Sequence, residues 1–379
     1  MKIPLYRVFW DESDVELTRR VIERGGYWAV GPEIEEFERT VADYVGRKYA
    51  VAFNSGTSAL HAAMLASGIH SGDEVITSSF TFISSANSAL FVGASPVFAD
   101  IEDETFGLRT ESVLKRISSR TKAILPVHIG GLTCRDIREL KGIAEDQGVL
   151  LIEDAAEALG SIAYGQKAGS YGHMAMFSFC GNKVITTGEG GMLVTDSGET
   201  YEKLKLVRSH GRLEKEPYFL TTKSLDYVEL GYNWRMPTIV AALGVSQMKK
   251  LEKVIEMRRK IASELSARLG MISDIEVPKE PVGFRHIYQM YTIRAKGGLK
   301  RREALREYLS KRGITVKVYF DPIHLSQFYK EKMTYNRGLL PVTESVSESV
   351  LTLPIYPTMT RDEINYLIES VEEFYRMPR

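Results

Sequence analysis

Between Tyr49 and about Asp196, short apolar runs rich in β-formers alternate with stretches whose apolar residues recur every three or four positions. That alternation predicts a mostly parallel sheet covered by helices. The strand candidates are 49–54, 73–78, 95–101, 122–129, 149–154 and 174–179. Helical patterns over 57–67, 81–92, 110–118 and 134–146 separate them, several opened by Thr or Ser and closed by Gly. Ahead of this block, Pro32 opens a segment with Ile34, Phe37, Val41 and Tyr44 at helical spacing, which predicts an amphipathic helix over 32–45 packed on the sheet. Beyond it, Pro237 to Leu269 reads as one continuous helix with Leu243, Gln247 and Leu251 on a stripe, long enough to join two domains. The segments 286–294, 300–312, 314–320 and 360–376 then read as strand, helix, strand and helix. The pattern divides into a large domain over 1–250 and a smaller α+β domain over 251–379, without repeats or low-complexity stretches.

A chain of 379 residues with 44% hydrophobic content can bury a core of enzyme size. Lys plus Arg and Asp plus Glu number 49 each, so no global field favours nucleic acid or an acidic membrane surface, and an anionic ligand must be held by local groups. The start of the chain, MKIPLYRVFWDESD, has no export-signal pattern, and no apolar run is long enough to span a bilayer. Two cysteines, Cys134 and Cys180, make neither a disulfide framework nor a paired metal motif and fit a reducing cytoplasm. The seven histidines lack metal-type spacing, so no metal is expected.

In open parallel sheets ligands sit beyond the carboxyl ends of the strands, and four stretches converge there. Asn54-Ser55-Gly56-Thr57-Ser58-Ala59-Leu60 follows the run YAVAF and opens a helix; Gly56 permits a tight turn, and the amides and hydroxyls of Thr57 and Ser58 would face an anion at the helix's positive end. The same stretch is equally an ordinary N-cap. Val149-Leu150-Leu151-Ile152-Glu153-Asp154 ends in two acids, of which only one can face a given pocket, because successive strand residues point to opposite sides. A carboxylate there suits a cationic heterocycle, or caps the next helix. In Phe177-Ser178-Phe179-Cys180-Gly181-Asn182-Lys183 the lysine lies between an apolar strand and the Gly-rich turn Gly188-Glu189-Gly190-Gly191. That setting can desolvate an amine and favour Schiff-base chemistry, whereas a lysine in a loop is ordinarily a solvated surface charge. It is not a P-loop, since the glycines follow the lysine. Phe82, after DEVITSSF, presents a ring either to a planar cofactor or to the core.

Six motifs, NSGTSAL, DEVITSSFTF, IEDAAEALGS, MFSFCGNKVITTGEGG, ELGYNWRMP and DPIHL, occur in that order, and with them the chain from about Gly25 to its C-terminus resembles the nucleotide-sugar aminotransferases. The resemblance implies an α/β fold of the aspartate aminotransferase type, fold type I of the pyridoxal-phosphate enzymes, with a mostly parallel seven-stranded sheet in the large domain. It implies pyridoxal 5′-phosphate as cofactor, with Lys183 as the Schiff-base lysine and proton shuttle, and Asp154 as partner of the pyridinium nitrogen, keeping the ring an electron acceptor. Phe82 resembles the ring that stacks on the cofactor, and Gly56, Thr57 and Ser178 its phosphate cradle. Asn233 resembles a residue that reaches the phosphate from a second subunit, which implies a homodimer with active sites at the interface. Arg235 resembles an anion-binding helper, or is a surface ion pair. His324 resembles a residue facing the sugar nucleotide, or is a hydrogen-bonded structural histidine.

Two positions depart from the common pattern. Many relatives carry Gln or His where this chain has Glu157, beside the cofactor's phenolic oxygen; a glutamate there cannot donate a hydrogen bond unless protonated, and the perosamine-type sequences share it. Cys180 stands where the nearest relatives would have His. IEDAAEALGS and GNKVITTGEGGM are most similar to the perosamine synthases, which aminate GDP-4-keto-6-deoxymannose. The resemblance therefore implies a nucleotide-linked keto sugar as acceptor and an amino acid, glutamate, as donor, with no nucleic-acid or membrane partner. Another keto position or nucleotide, a sugar dehydratase on the same fold and a non-catalytic regulatory protein are the alternatives. The dehydratases replace the lysine with histidine, and the cofactor residues are intact here; fold alone does not fix function.

Overall fold

The computed structural model describes residues 1–213, 222 and 225–377. Nine strands form before the long helices: β1 (Tyr49–Phe53), β2 (Glu74–Ser78), β3 (Ser95–Ala99), β4 (Thr121–Leu125), β5 (Leu150–Asp154), β6 (Ile162–Ala163), β7 (Gln166–Lys167), β8 (Met174–Ser178) and β9 (Gly191–Thr195). Seven of them make the main sheet, in the order β1-β9-β8-β5-β4-β2-β3. β9 runs antiparallel to β1 and β8, while the other six share one direction. Both faces of the sheet are covered, which is why its strands read as near-continuous apolar runs. In β8, Ala175 and Phe177 pack with helices Pro32–Val45 and Thr238–Met248, whereas Met174 and Met176 pack with helix Gly56–Ala66.

Four further strands follow: β10 (Ile275–Glu276), β11 (Phe284–Arg285), β12 (Tyr291–Ala295) and β13 (Val350–Leu353). β12 is the centre of a small antiparallel sheet flanked by β10 and β13, and β11 extends the β6–β7 hairpin. Helices Leu251–Leu269, Gly298–Lys311 and Arg361–Arg376 close the core of this second sheet. Ile3, from the chain start, sits in that same core and bridges to Ile314.

Several elements differ from the sequence expectation. The seventh strand of the main sheet, β9, directly follows the Gly-rich turn after Lys183 and lies outside the six strand candidates. The helix expected over 237–269 is broken at Lys249 and Lys250, where the Lys250 ammonium turns to Asp11 (2.9 Å) and Asp14 of the N-terminal helix Glu12–Glu23. The segment 314–320 is no strand: it pairs only at Ile314 with Ile3 and at Lys317 with Thr352, because β13 takes the place beside β12. Helix Ser84–Phe91 starts later than the pattern suggested, which leaves Thr81–Ile83 as a turn.

Candidate active site

The parallel arrangement brings the carboxyl ends of β1, β2, β5 and β8 to one edge of the sheet. Asp154 ends β5, with 4% of its surface exposed. Its carboxylate accepts a hydrogen bond from the Ser85 hydroxyl (2.7 Å) and one from the Ala156 amide (3.2 Å). Burial pushes its pKa up; the bond from Ser85 opposes that rise and Lys183 is close enough to add to the opposition. A buried carboxylate so placed is short of a cation, and the protonated nitrogen of a heterocycle would supply one.

Lys183 follows β8 on a turn closed by its own amide, which donates to the Cys180 carbonyl (3.0 Å). Its ammonium group is 3.3 Å from the Glu157 carboxylate, and the side chain is 13% exposed. The other oxygen of Glu157 accepts the Gly130 amide (2.8 Å), so the acid is fixed from one side and holds the lysine with the other. Gln289, more than a hundred residues away, donates to the Asn182 carbonyl (2.7 Å) and steadies the lysine turn.

A third set of groups comes from β1, β2 and β8. The Ser55 side chain caps helix Gly56–Ala66 by accepting the Ser58 amide, and the amides of Gly56 and Thr57 belong to the first turn, where helix donors lack internal partners. A side chain at Gly56 would press on Met176 Sδ (3.1 Å) and Ser178 Cβ (3.3 Å), so the helix end lies directly against Ser178. The Thr57 hydroxyl is 2.7 Å from that of Ser84, which ties this helix to the turn after β2. In that turn Phe82 is 62% exposed, a bare ring at the mouth of the site where a core aromatic would be covered. An anion cradle, a buried carboxylate, a held amine and an uncovered ring together fit a flat, phosphorylated, cationic aldehyde ring such as pyridoxal phosphate.

Three residues named from sequence lie differently. Asn233 is exposed on the outer edge of the sheet, where its neighbours Trp234 and Arg235 pair with Asn54 and Phe53 beside β1. Arg235 donates to the Ser209 hydroxyl (3.0 Å). His324 is fully buried, with Nδ1 2.7 Å from the Ser79 hydroxyl and Nε2 3.1 Å from the Glu344 carboxylate, the geometry of a hydrogen-bonded structural histidine. Both ring nitrogens are occupied and burial lowers its pKa, so it ties the C-terminal segment to the end of β2 and presents no free nitrogen to a sugar.

Sequence reasoning missed Ser85, Gly130 and Gln289, which act through spatial neighbours far away in the chain. It also missed the hub behind Asp154. Glu153 is wholly buried and accepts the amides of Gly169 (2.7 Å), Tyr171 (2.8 Å) and Gly172 (2.7 Å), together with His128 Nε2 (2.9 Å). His128 Nδ1 accepts the Cys134 amide, which fixes the tautomer with hydrogen on Nε2. The two-residue periodicity of the strand had separated the roles of Glu153 and Asp154, but not the partners of the former.

Among the described residues no helix is long and apolar enough to cross a membrane, and no cluster of His, Cys, Asp and Glu could hold a metal. The profile of the DegT/DnrJ/EryC1/StrS aminotransferase family matches residues 10–372. The chain is 37% identical over 347 residues to GDP-perosamine synthase of Caulobacter vibrioides, covering 91% of each. It is 34% identical over 357 residues to the spore coat polysaccharide biosynthesis protein SpsC of Bacillus subtilis, covering 93% of this chain and 92% of that one. The PLP form of Spr1654 from Streptococcus pneumoniae superposes with a TM-score of 0.92 at 26% identity over 99% of both chains. With a site built for the cofactor and a family profile running nearly end to end, the chain belongs to the DegT/DnrJ/EryC1/StrS aminotransferase family and is a pyridoxal-phosphate-dependent sugar aminotransferase.

Proposed function

We propose that this enzyme transfers the amino group of L-glutamate to carbon 4 of a nucleotide-linked 4-keto-6-deoxy sugar, as a perosamine synthase does, and that it works as a homodimer with each site completed at the subunit interface. The observation that carries the reading is the placement of Lys183 beside Glu157, within electrostatic reach of the buried Asp154. Similarity over 91% of the chain to a GDP-perosamine synthase supports the choice of sugar. When bound, pyridoxal phosphate supplies an electron-accepting ring and an aldehyde carbon on which an amino group can be carried from donor to acceptor.

The chain's own residues do the rest. Gly56, Thr57 and Ser178 would hold the phosphate, Phe82 would lie against the ring, and Asp154 would keep a proton on the ring nitrogen. Lys183 Nζ would tether the cofactor, and as a free amine it would take a proton from the donor's α-carbon and deliver one to the sugar carbon, so that one base could serve both halves. Glu157, fixed by Gly130, orients that amine between transfers. The exposed Asn233 is offered to the site of a second copy. Glutamate leaves as 2-oxoglutarate, and the sugar's carbonyl becomes a carbon bearing hydrogen and an amino group.

The test is to give the purified holoenzyme GDP- and UDP-linked 4-keto-6-deoxy sugars with glutamate and to weigh the products. A 4-amino sugar with an equal amount of 2-oxoglutarate is the expected result, and Lys183→Ala abolishes it. A deoxy keto sugar with ammonia would replace the reading by dehydration, and no product from any sugar would end it.

A further inference from the structure

Arg302, in helix Gly298–Lys311, is 4% exposed, yet its side chain makes no hydrogen bond among the described residues. Its nearest charge is the partly exposed Glu303, whose Oε1 forms an ion pair 3.0 Å from Nε outside hydrogen-bonding geometry while its Oε2 accepts a bond from Arg306 (2.8 Å). A buried guanidinium whose N–H groups find no hydrogen-bond acceptor, and whose ion pair with Glu303 is confined to one edge, is incompletely compensated, so an acceptor for its remaining donors is expected to arrive from outside. A second orphan stands nearby: the hydroxyl of Ser326 is buried and likewise has no partner.

Arg302 and Ser326 line one cavity of about 510 Å³, within the size range of small-molecule sites. Lys330 lines it too and engages no carboxylate among the described residues. Three acids share the wall, but Glu344 is committed to His324 and the Gly338 amide, and Glu348 to Arg337, which leaves Asp321 alone against Arg302 and Lys330. On its other side the cavity reaches Thr81 and Phe82, the turn at the mouth of the active site. Its charged groups are therefore next to the reaction without taking part in it.

We propose that this cavity is a phosphate site in which Arg302, Ser326 and Lys330 hold the diphosphate of the nucleotide-linked substrate. A planar guanidinium matches two phosphate oxygens, a hydroxyl donates to a third, and the lysine adds charge at the rim. The identity of the diphosphate's owner rests on the proposed sugar-transfer reading; the cavity's preference for phosphate does not.

The experiment uses holoenzyme, with its cofactor site filled, and follows thermal unfolding with GDP, inorganic pyrophosphate or orthophosphate added. Arg302→Met removes a buried charge whose one ion pair is with the partly exposed Glu303 and which makes no hydrogen bond, so the unliganded variant unfolds at or above the wild-type temperature. GDP and pyrophosphate raise the midpoint of the wild type, raise that of Ser326→Ala by less, and leave Arg302→Met unmoved. By titration Arg302→Met binds GDP ~10–100-fold more weakly, the loss expected of a charge-assisted contact. Equal responses to orthophosphate and GDP would assign the site to free phosphate and overturn the substrate assignment. A clear fall in stability of unliganded Arg302→Met, or no response of the wild type to any phosphate, would overturn the site. If every keto sugar is refused while Arg302-dependent pyrophosphate binding persists, the sugar reading falls and the cavity stands. If amination proceeds and Arg302→Met leaves both KM and kcat unchanged, the cavity falls and the sugar reading stands.

Discussion

Glu153→Gln is the most economical perturbation of the site's foundation, because it changes one atom and removes one charge. The carboxylate accepts four hydrogen bonds: Tyr171 and Gly172 amides on Oε1, Gly169 amide and His128 on Oε2. A glutamine offers an oxygen at one end and a donor at the other, so in either orientation two buried donors lose their acceptor. His128 cannot rescue the pair by switching tautomer, since its Nδ1 must keep accepting the Cys134 amide. Two stranded donors at ~1–3 kcal/mol each, with some relaxation, give a destabilisation of about 3 kcal/mol. Burial drives the Glu153 pKa upward, but the bonds from His128 and from the Gly172 and Gly169 amides override it and the net shift is downward. The stability it contributes is therefore fully present above the ordinary glutamate value of 4.5 and is lost only as pH falls through the lower folded value. Urea unfolding of wild type and variant at fixed cofactor concentration should differ by the same amount at pH 7 and pH 5.5, the gap closing only in stronger acid. Indistinguishable midpoints at pH 7 would refute the account of the hub.

Asp154→Asn should lower kcat by about a hundredfold, the equivalent of one charge-assisted hydrogen bond worth ~3 kcal/mol in the rate-limiting step. Because burial raises the Asp154 pKa, the stability it contributes is present below the ordinary value of 3.8 and is lost as pH rises through the folded value. Calorimetry of cofactor-free protein at pH 7 should find Asp154→Asn more stable than wild type; a less stable variant would contradict the desolvation argument. Gly56→Val brings a side chain against Met176 and Ser178, so equilibrium dialysis should show pyridoxal phosphate held at least tenfold more weakly, and unchanged affinity would remove Gly56 from the cradle. His324→Gln should cost about 1–3 kcal/mol of stability, as a buried bond to Ser79 or Glu344 is lost, while KM for the sugar stays within twofold. A large KM change at unchanged stability would restore the sugar-facing role.

What was legible in the sequence and what was not follow from how far each interaction reaches along the chain. Strand ends were legible because burial on both faces makes an apolar run end abruptly at the first functional residue, as at Asp154 and Ser178, and a helix opens right after β1 with capping chemistry at Ser55 and Ser58. The exposed ring of Phe82 was legible only as a question, since a one-turn delay in the helix start decides whether it is core or wall. The groups that hold the site in place were hidden. Gln289 on Asn182, Glu157 on Gly130, and Ser79 on His324 join positions between 27 and 245 residues apart, and nothing local in either member marks the pair. His324 is the instructive case, because the motif around it suggested a sugar-facing residue while its imidazole is buried between Ser79 and Glu344. Arg302 is its converse: a helical arginine that no motif marks is buried without a hydrogen-bond acceptor, in a cavity beside the candidate active site. If the proposed phosphate site holds the substrate, the histidine docks its segment on the end of β2 while the arginine of helix Gly298–Lys311 meets the ligand, so the decisive contacts are to be sought on that helix as well as in the DPIHL motif.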